Sequence, residues 1–320
     1  MLSFVKLTPL TVDRLFPQRA MLFVKLAPLL LPFLLPVPVQ ALALNPSPGI
    51  NPPAPRAIQP NLLADASTNS PEENFRAGNV TRAIQQWSKD IKDGKNVTGN
   101  LYNRAQAYIL IKQYNFALKD INEIIQREGQ NTRPEIFIIQ GIALGELNQL
   151  PQALNSFNQA EKINPTALVY SNRALIYQRL GKLNEALADL SQAVKLSPTP
   201  INQLNLANLR LQLSQFEAVI SEMTKLIQQN KAFFPAYLTR GIAYYNLGRY
   251  EDAIKDFLFG LAITPDQPEN YYYAGLSFEK LKQKKDALHN LTIAADLYLK
   301  QNQADNYQKV IDKMNELNLQ

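Results

Sequence analysis

The chain's 320 residues include one histidine, His289, and no cysteine. Those two facts bound the chemistry. Without a thiol there is no disulfide, no thiolate metal site, no cysteine nucleophile and no lipid attachment through cysteine. The absence also fits an exported protein that avoids oxidative pairing. His289 sits between Leu288 and Asn290 with no Ser/His/Asp set to use it. It reads as a helix-surface residue rather than a general base. Gly141 and Gly145 have glycine-loop spacing, but both fall inside a predicted helix and serve packing. Asn79, Asn96 and Asn290 each open an Asn-x-Thr sequon, a motif that matters only on a eukaryotic secretory route. Nothing here assembles a catalytic set, and neither a cofactor nor a metal is expected.

The elements that would position any site are set by a spacing. Small or compact residues recur at Ala83, Ala117, Ala153, Ala186, Val219, Ala253 and Ala287, at intervals of 34, 36, 33, 33, 34 and 34. A period near 34 residues means helix-turn-helix units stacked in a row, usually as a binding scaffold. Residues 234–265 show the internal pattern: Tyr237, Gly241, Ala243, Tyr244, Leu247 and Gly248 on a first helix and its turn, then Tyr250, Ala253, Phe257, Gly260 and Pro265 on a second. Each set places one apolar stripe on its helix. Gly241 and Ala253 are expected where the two backbones approach, with Gly248 turning the chain and Pro265 stopping the second helix.

These residues resemble the tetratricopeptide repeat family. Close matches also run through Phe137, Gly141, Ala153, Phe157, Ala160 and Pro165, and through Tyr170, Ala174, Tyr177, Gly181, Ala186, Leu190, Ala193 and Pro198. The last full unit reads Tyr271, Gly275, Phe278, Ala287, Leu291 and Ala294. The unit from Pro200 is degenerate: Arg210 stands where an aromatic is expected and Val219 where alanine is. The unit from Gly99 exits through a longer loop, Gly129 to Pro134. The first unit is truncated, opening at Ser70-Pro71-Glu72-Glu73 like a capped helix start. The resemblance covers residues 70–301, about seven units, and implies an all-α fold, a right-handed α-solenoid. Residues 302–320 carry Tyr307, Val310, Ile311, Met314 and Leu317 at helical spacing, read as a capping helix over the terminal apolar face.

In that family the first helix of each unit lines a concave groove that holds a peptide or helical segment. Carried onto this chain, the groove positions are Tyr102, Asn103, Gln106, Ile138, Ile139, Ile142, Asn172, Leu175, Gln178, Arg179, Asn205, Asn208, Thr239, Ile242, Tyr245, Asn246, Tyr272 and Tyr273. The amides Asn103, Asn172 and Asn205 can both donate to and accept from a peptide backbone. The isoleucine and tyrosine clusters offer apolar and aromatic anchors; the competing reading is packing between neighbouring first helices. A basic carboxylate clamp like that of co-chaperone relatives is not expected. Asn172 fits its middle role, but Ile138 and Ile142 replace the lysine and asparagine before it, and Ile201 and Asn205 the lysine and arginine after it.

The N-terminus is a different object. Residues 1–43 carry Lys6, Arg14, Arg19 and Lys25 against Asp13, then an apolar run from Leu26 to Val39, then Ala41-Leu42-Ala43. This reads as a signal peptide cut after Ala43, with Met1 or Met21 as the start. The alternative is a membrane anchor at residues 20–39, against which Pro28, Pro32, Pro36 and Pro38 stand. Residues 44–69 are a proline-rich linker. The net charge of +6 falls to +3 once the leader's four bases and one acid are set aside. That does not support nucleic-acid binding. Lys280, Lys282, Lys284 and Lys285 cluster at a turn, as a solvated loop or as a contact for something anionic.

The sequence therefore predicts an exported, non-enzymatic protein-binding scaffold, assisting assembly of an envelope or membrane complex by analogy with exported family members. The alternatives are a regulatory subunit of an enzyme and a self-associating structural adaptor.

Overall fold

The computed structural model describes residues 70–319 and contains fifteen α-helices there. The readings of residues 1–43 and 44–69, as leader, anchor or linker, lie outside the described residues. The helices form seven hairpins. They are α1 (Pro71–Arg76) with α2 (Val80–Lys92), α3 (Val97–Leu110) with α4 (Tyr114–Glu128), α5 (Pro134–Glu146) with α6 (Leu150–Ile163), and α7 (Ala167–Arg179) with α8 (Leu183–Leu196). Then come α9 (Pro200–Gln212) with α10 (Phe216–Gln229), α11 (Phe234–Asn246) with α12 (Tyr250–Ile263), and α13 (Pro268–Lys280) with α14 (Lys284–Lys300). A single helix, α15 (Ala304–Leu319), packs on α14 at the end. No described helix is long and apolar enough to cross a membrane.

Local chemistry sets the helix ends. Ser70 Oγ accepts the Glu73 N–H at 3.2 Å while the Glu73 carboxylate accepts the Ser70 N–H at 2.9 Å, a reciprocal cap on a six-residue helix. Proline opens α5, α9 and α13, where its missing N–H is no loss. First helices end in a left-handed residue, with the next N–H bonding back five residues, as from Gln113 to Tyr108 and Arg249 to Tyr244. Gly181 and Gly248 take that conformation freely, but Lys112, Asn148, Ser214 and Lys282 hold it with φ of 56–60°. The hydrogen-bonded turn outweighs the side-chain preference at those four sites.

All seven of the recurring small positions, Ala83 through Ala287, are fully buried. The room at Gly241 serves a different purpose from the one its spacing suggested. A Cβ there would lie 2.6 Å from the Phe257 ring, so the glycine admits an aromatic side chain rather than the opposite backbone. Gly141 does the same for Phe157. First helices also pack side by side, α3 on α5, α5 on α7, α9 on α11 and α11 on α13. No comparable contact joins second helices among the described residues. The stack therefore bends with its first helices inside, an all-α solenoid of helix-turn-helix repeats.

Polar clasps reinforce it in alternate units. Arg104 pairs with Asp120, Arg173 with Asp189 and Arg240 with Asp256, each sixteen residues on and each through two hydrogen bonds of 2.6–2.8 Å. The same guanidinium also reaches the preceding hairpin: Arg104 bonds Ser88, Arg173 bonds Asn158 and Glu161, and Arg240 bonds Thr224. Tyrosines on the same helix flank the arginines, as Tyr170 and Tyr177 do Arg173. In the third hairpin Gln140 takes the place of arginine and bonds Ser156. In the degenerate fifth, Leu206 cannot meet Glu222, and Arg210, one turn further along, does so instead. Arg210 thus takes over the partner that an arginine at position 206 would have had.

Candidate functional site

The groove face is built by corresponding positions of successive first helices, and the structure divides the eighteen sequence-predicted residues into three groups. Gln106, Ile138, Ile139, Ile142, Asn172, Thr239 and Ile242 are buried. Tyr102, Asn103, Leu175, Gln178, Asn205, Asn208, Tyr245, Tyr272 and Tyr273 are half-buried, and Arg179 and Asn246 are exposed. The isoleucine cluster is therefore packing between α5 and its neighbours rather than an open anchor. Burying it between adjacent first helices removes more apolar area from water than leaving it for a ligand.

The amides are largely committed as well. Asn172, 7% exposed, donates to the Leu168 carbonyl within its own helix at 2.8 Å. Asn103 donates to Glu72 at 3.2 Å, and the same carboxylate oxygen accepts from Trp87 Nε1 at 3.0 Å. Thr239 donates to Asn208 at 3.3 Å and Ser171 to Asn202 at 3.2 Å. Three of these bonds span 31 residues and join one first helix to the next. Arg179 is tied to the Gly145 carbonyl at 2.6 Å and to Asn148. The side chain of Asn205 makes no hydrogen bond, and neither does that of Gln178 on α7. Half-buried Leu175 lies on α7 with Gln178, and half-buried Leu204 and Leu211 lie on α9 with Asn205.

The C-terminal third is aromatic. Tyr245 meets Tyr250 and Tyr273 edge-on with centroids 5.6 and 6.2 Å apart, and Tyr272 meets Tyr273 at 5.4 Å. Tyr273 also stacks on the core ring Phe257, so it belongs more to the wall than to the surface. Burial raises the phenol pKa of Tyr245, Tyr272 and Tyr273, keeping them neutral hydrogen-bonding groups at physiological pH. Lys313 of α15 bonds Glu279 of α13 at 2.8 Å, beside Tyr245 and Tyr272. Sequence reasoning missed this contribution of the terminal helix, although Lys313 lies one repeat period, 34 residues, beyond Glu279. His289 is exposed on α14, a second helix.

A buried polar cluster at the start of α13 also escaped the sequence reading. Glu269 is 5% exposed, and its burial lifts the carboxyl to about 7. Tyr273 and Tyr298 are close enough to feel its charge. Asn270 follows it, fully enclosed, in space that Gly260 leaves open.

Stacked helical hairpins of this length, bent with one helix of each pair inside, define a class of repeat scaffold. Family comparison identifies the class: residues 167–200 match the tetratricopeptide repeat and residues 241–282 the TPR repeat. The chain thus carries tetratricopeptide repeats. Among solved structures it is similar to a tetratricopeptide repeat protein from Parabacteroides merdae. That similarity has TM-score 0.59 and 17% identity, covering 75% of this chain and 96% of that one. It is also similar to the C-terminal part of a TPR repeat-containing protein from Cytophaga hutchinsonii, with TM-score 0.56 and 17% identity, covering 76% and 97%. These likenesses establish the fold. No curated protein matches the sequence.

Proposed function

We propose that this chain is a non-enzymatic scaffold whose concave face holds an extended or helical segment of a protein partner. The observation that carries the reading is the contrast along the groove. The amides of Asn103, Asn172, Asn202 and Asn208 are engaged within or between helices, whereas the half-buried Asn205 amide of α9, a helix that also carries half-buried Leu204 and Leu211, stays unengaged. A half-buried amide among leucines can fix the register of a backbone while its neighbours take up apolar side chains. The tyrosines at 245 and 272 then anchor the segment's far end.

The test is a binding titration against a partner recovered by pull-down from the native compartment. Asn205→Ala and Tyr272→Ala each weaken binding by about 1–2 kcal/mol, as interface anchors do, while melting hardly changes. His289→Ala, on a second helix, changes neither. Loss of binding in His289→Ala with both groove variants normal moves the site to the outer face.

The compartment belongs to the same proposal: an extracytoplasmic scaffold, released by cleavage after Ala43, that assists assembly of an envelope or membrane complex. Mass spectrometry of the native protein reads its N-terminus. Leu44 is expected, and a retained Met1 or Met21 sinks the cleavage and favours an anchor.

A further inference from the structure

The turn between α13 and α14 concentrates positive charge as no other turn of the array does. Lys280, Lys282, Lys284 and Lys285 are all exposed, and none has an ion-pair partner. We propose that this turn is an electrostatic docking surface for an anionic lipid bilayer.

The first argument is a substitution within the repeat. The residue that opens each second helix is Val80, Tyr114, Leu150, Leu183, Phe216 and Tyr250 in the first six hairpins, every one half-buried and apolar. In the seventh it is Lys284, exposed. Six turns are plugged by an apolar side chain, and the seventh gives up that packing for a charge.

The second argument is the kind of cation. Three buried carboxylates, Asp120, Asp189 and Asp256, are met by arginine. A guanidinium fork suits a defined carboxylate; an ammonium on a flexible stem is a hydrated point charge. Four lysines and no arginine suit a diffuse negative surface better than a particular acidic side chain.

The third argument is what surrounds them. Leu281 is half-buried, and no large apolar side chain is exposed between Ile263 and Leu299, so the turn offers nothing to fill a partner's pocket. Glu279 is occupied by Lys313, leaving Asp286 as the acid within the stretch. Asp266, Asp296 and Asp305 sit towards the far end of the hairpin. The positive field is therefore only partly cancelled. It lies on an edge of the stack, where the chain reverses and a flat surface can approach. Each lysine near an anionic leaflet adds a similar increment of attraction, and salt screens it.

The experiment floats the full chain with phosphatidylcholine vesicles, neutral or containing about 30% phosphatidylglycerol, at about 0.05 M and about 0.5 M salt. Neutral vesicles measure any partition by other segments, the apolar run at residues 20–39 included. The expected result is a preference for anionic vesicles of at least about tenfold at low salt, abolished at high salt. Lys280→Gln/Lys282→Gln/Lys284→Gln/Lys285→Gln brings the ratio near one with melting unchanged. The same four positions changed to arginine keep it. Removing four exposed lysines elsewhere (Lys162, Lys195, Lys225 and Lys231, each to Gln) leaves it intact. Equal partition into both vesicles, an unchanged ratio in the turn variant, or an equal fall in the distant variant overturns the proposal. So does a soluble polyglutamate that binds the turn more tightly than vesicles do, which assigns it to an acidic protein segment.

Discussion

Replacing Glu269 by glutamine should change the pH dependence of stability more than any surface substitution. The carboxyl sits at the second position of α13, just after Pro268, where the helix dipole favours a negative charge by roughly 0.3–1 kcal/mol. Burial acts the other way and wins, because the folded carboxyl titrates near 7 against an ordinary value of 4.5. The sign follows from that order. Below 4.5 the group is protonated in both states and takes nothing from the fold. Between 4.5 and 7 the unfolded chain releases the proton while the folded chain keeps it, so stability falls as pH rises. Above 7 the full penalty is present. A gap of this size corresponds to about 3 kcal/mol. Tyr273 and Tyr298, which feel the charge, keep neutral phenols through this range because burial raises both. Urea melts of the native protein and Glu269→Gln at pH 4.5 and pH 8 isolate the term, since other carboxylates titrate alike in both proteins. The advantage of the glutamine variant should grow by about 3 kcal/mol between the two pH values. A difference that does not change with pH refutes the buried carboxyl.

Gly241→Ala should cost about 1–3 kcal/mol in a thermal or urea melt, because its Cβ would fall 2.6 Å from Phe257, a fully buried ring already stacked on Tyr273. Ala253→Leu should overpack its hairpin by a similar amount, about 1–3 kcal/mol, and Val219→Leu by less, since that site already holds a larger side chain; equal losses contradict the repeat alignment. Arg173→Met leaves Asp189 buried without its cation and should destabilise by about 3–5 kcal/mol, read by urea melts. Arg173→Met/Asp189→Leu should recover much of that, because no buried charge is then left uncompensated.

The fold was legible because tight packing repeats its demands. Wherever two helices of a hairpin meet, a small or compact residue recurs, and seven such positions from Ala83 to Ala287 set the frame. The groove was legible only as a set of positions. Lattice arithmetic placed Asn172, Asn103 and Asn208 on first helices, but a hydrogen bond can be spent within a helix or between helices before any ligand arrives. The 31-residue bonds Asn103–Glu72 and Thr239–Asn208 illustrate this. The clasps were missed although their signal is plain: an arginine just before the small first-helix residue and an aspartate sixteen residues on, three times over. The buried Glu269 left no such trace, because burial of a single carboxyl depends on which side chains close over it.

The clasps have one more consequence. Arg104 ties the second hairpin to the first, Arg173 the fourth to the third, and Arg240 the sixth to the fifth. At the clasp position the joints between the second and third and between the fourth and fifth have no arginine; the former is held instead by the Gln140 amide donating to Asn122 and by the more exposed Arg133–Glu128 pair at 3.5 Å. The mechanical grain of the array is thus two hairpins, twice its sequence period. Pulled from its ends, it should give way in steps of about 68 residues rather than 34. Inserting or deleting one hairpin would bring two clasped joints together or two unclasped ones, whereas inserting or deleting two preserves the alternation. Lengthening or shortening of this scaffold, in design or in descent, should therefore proceed by twos.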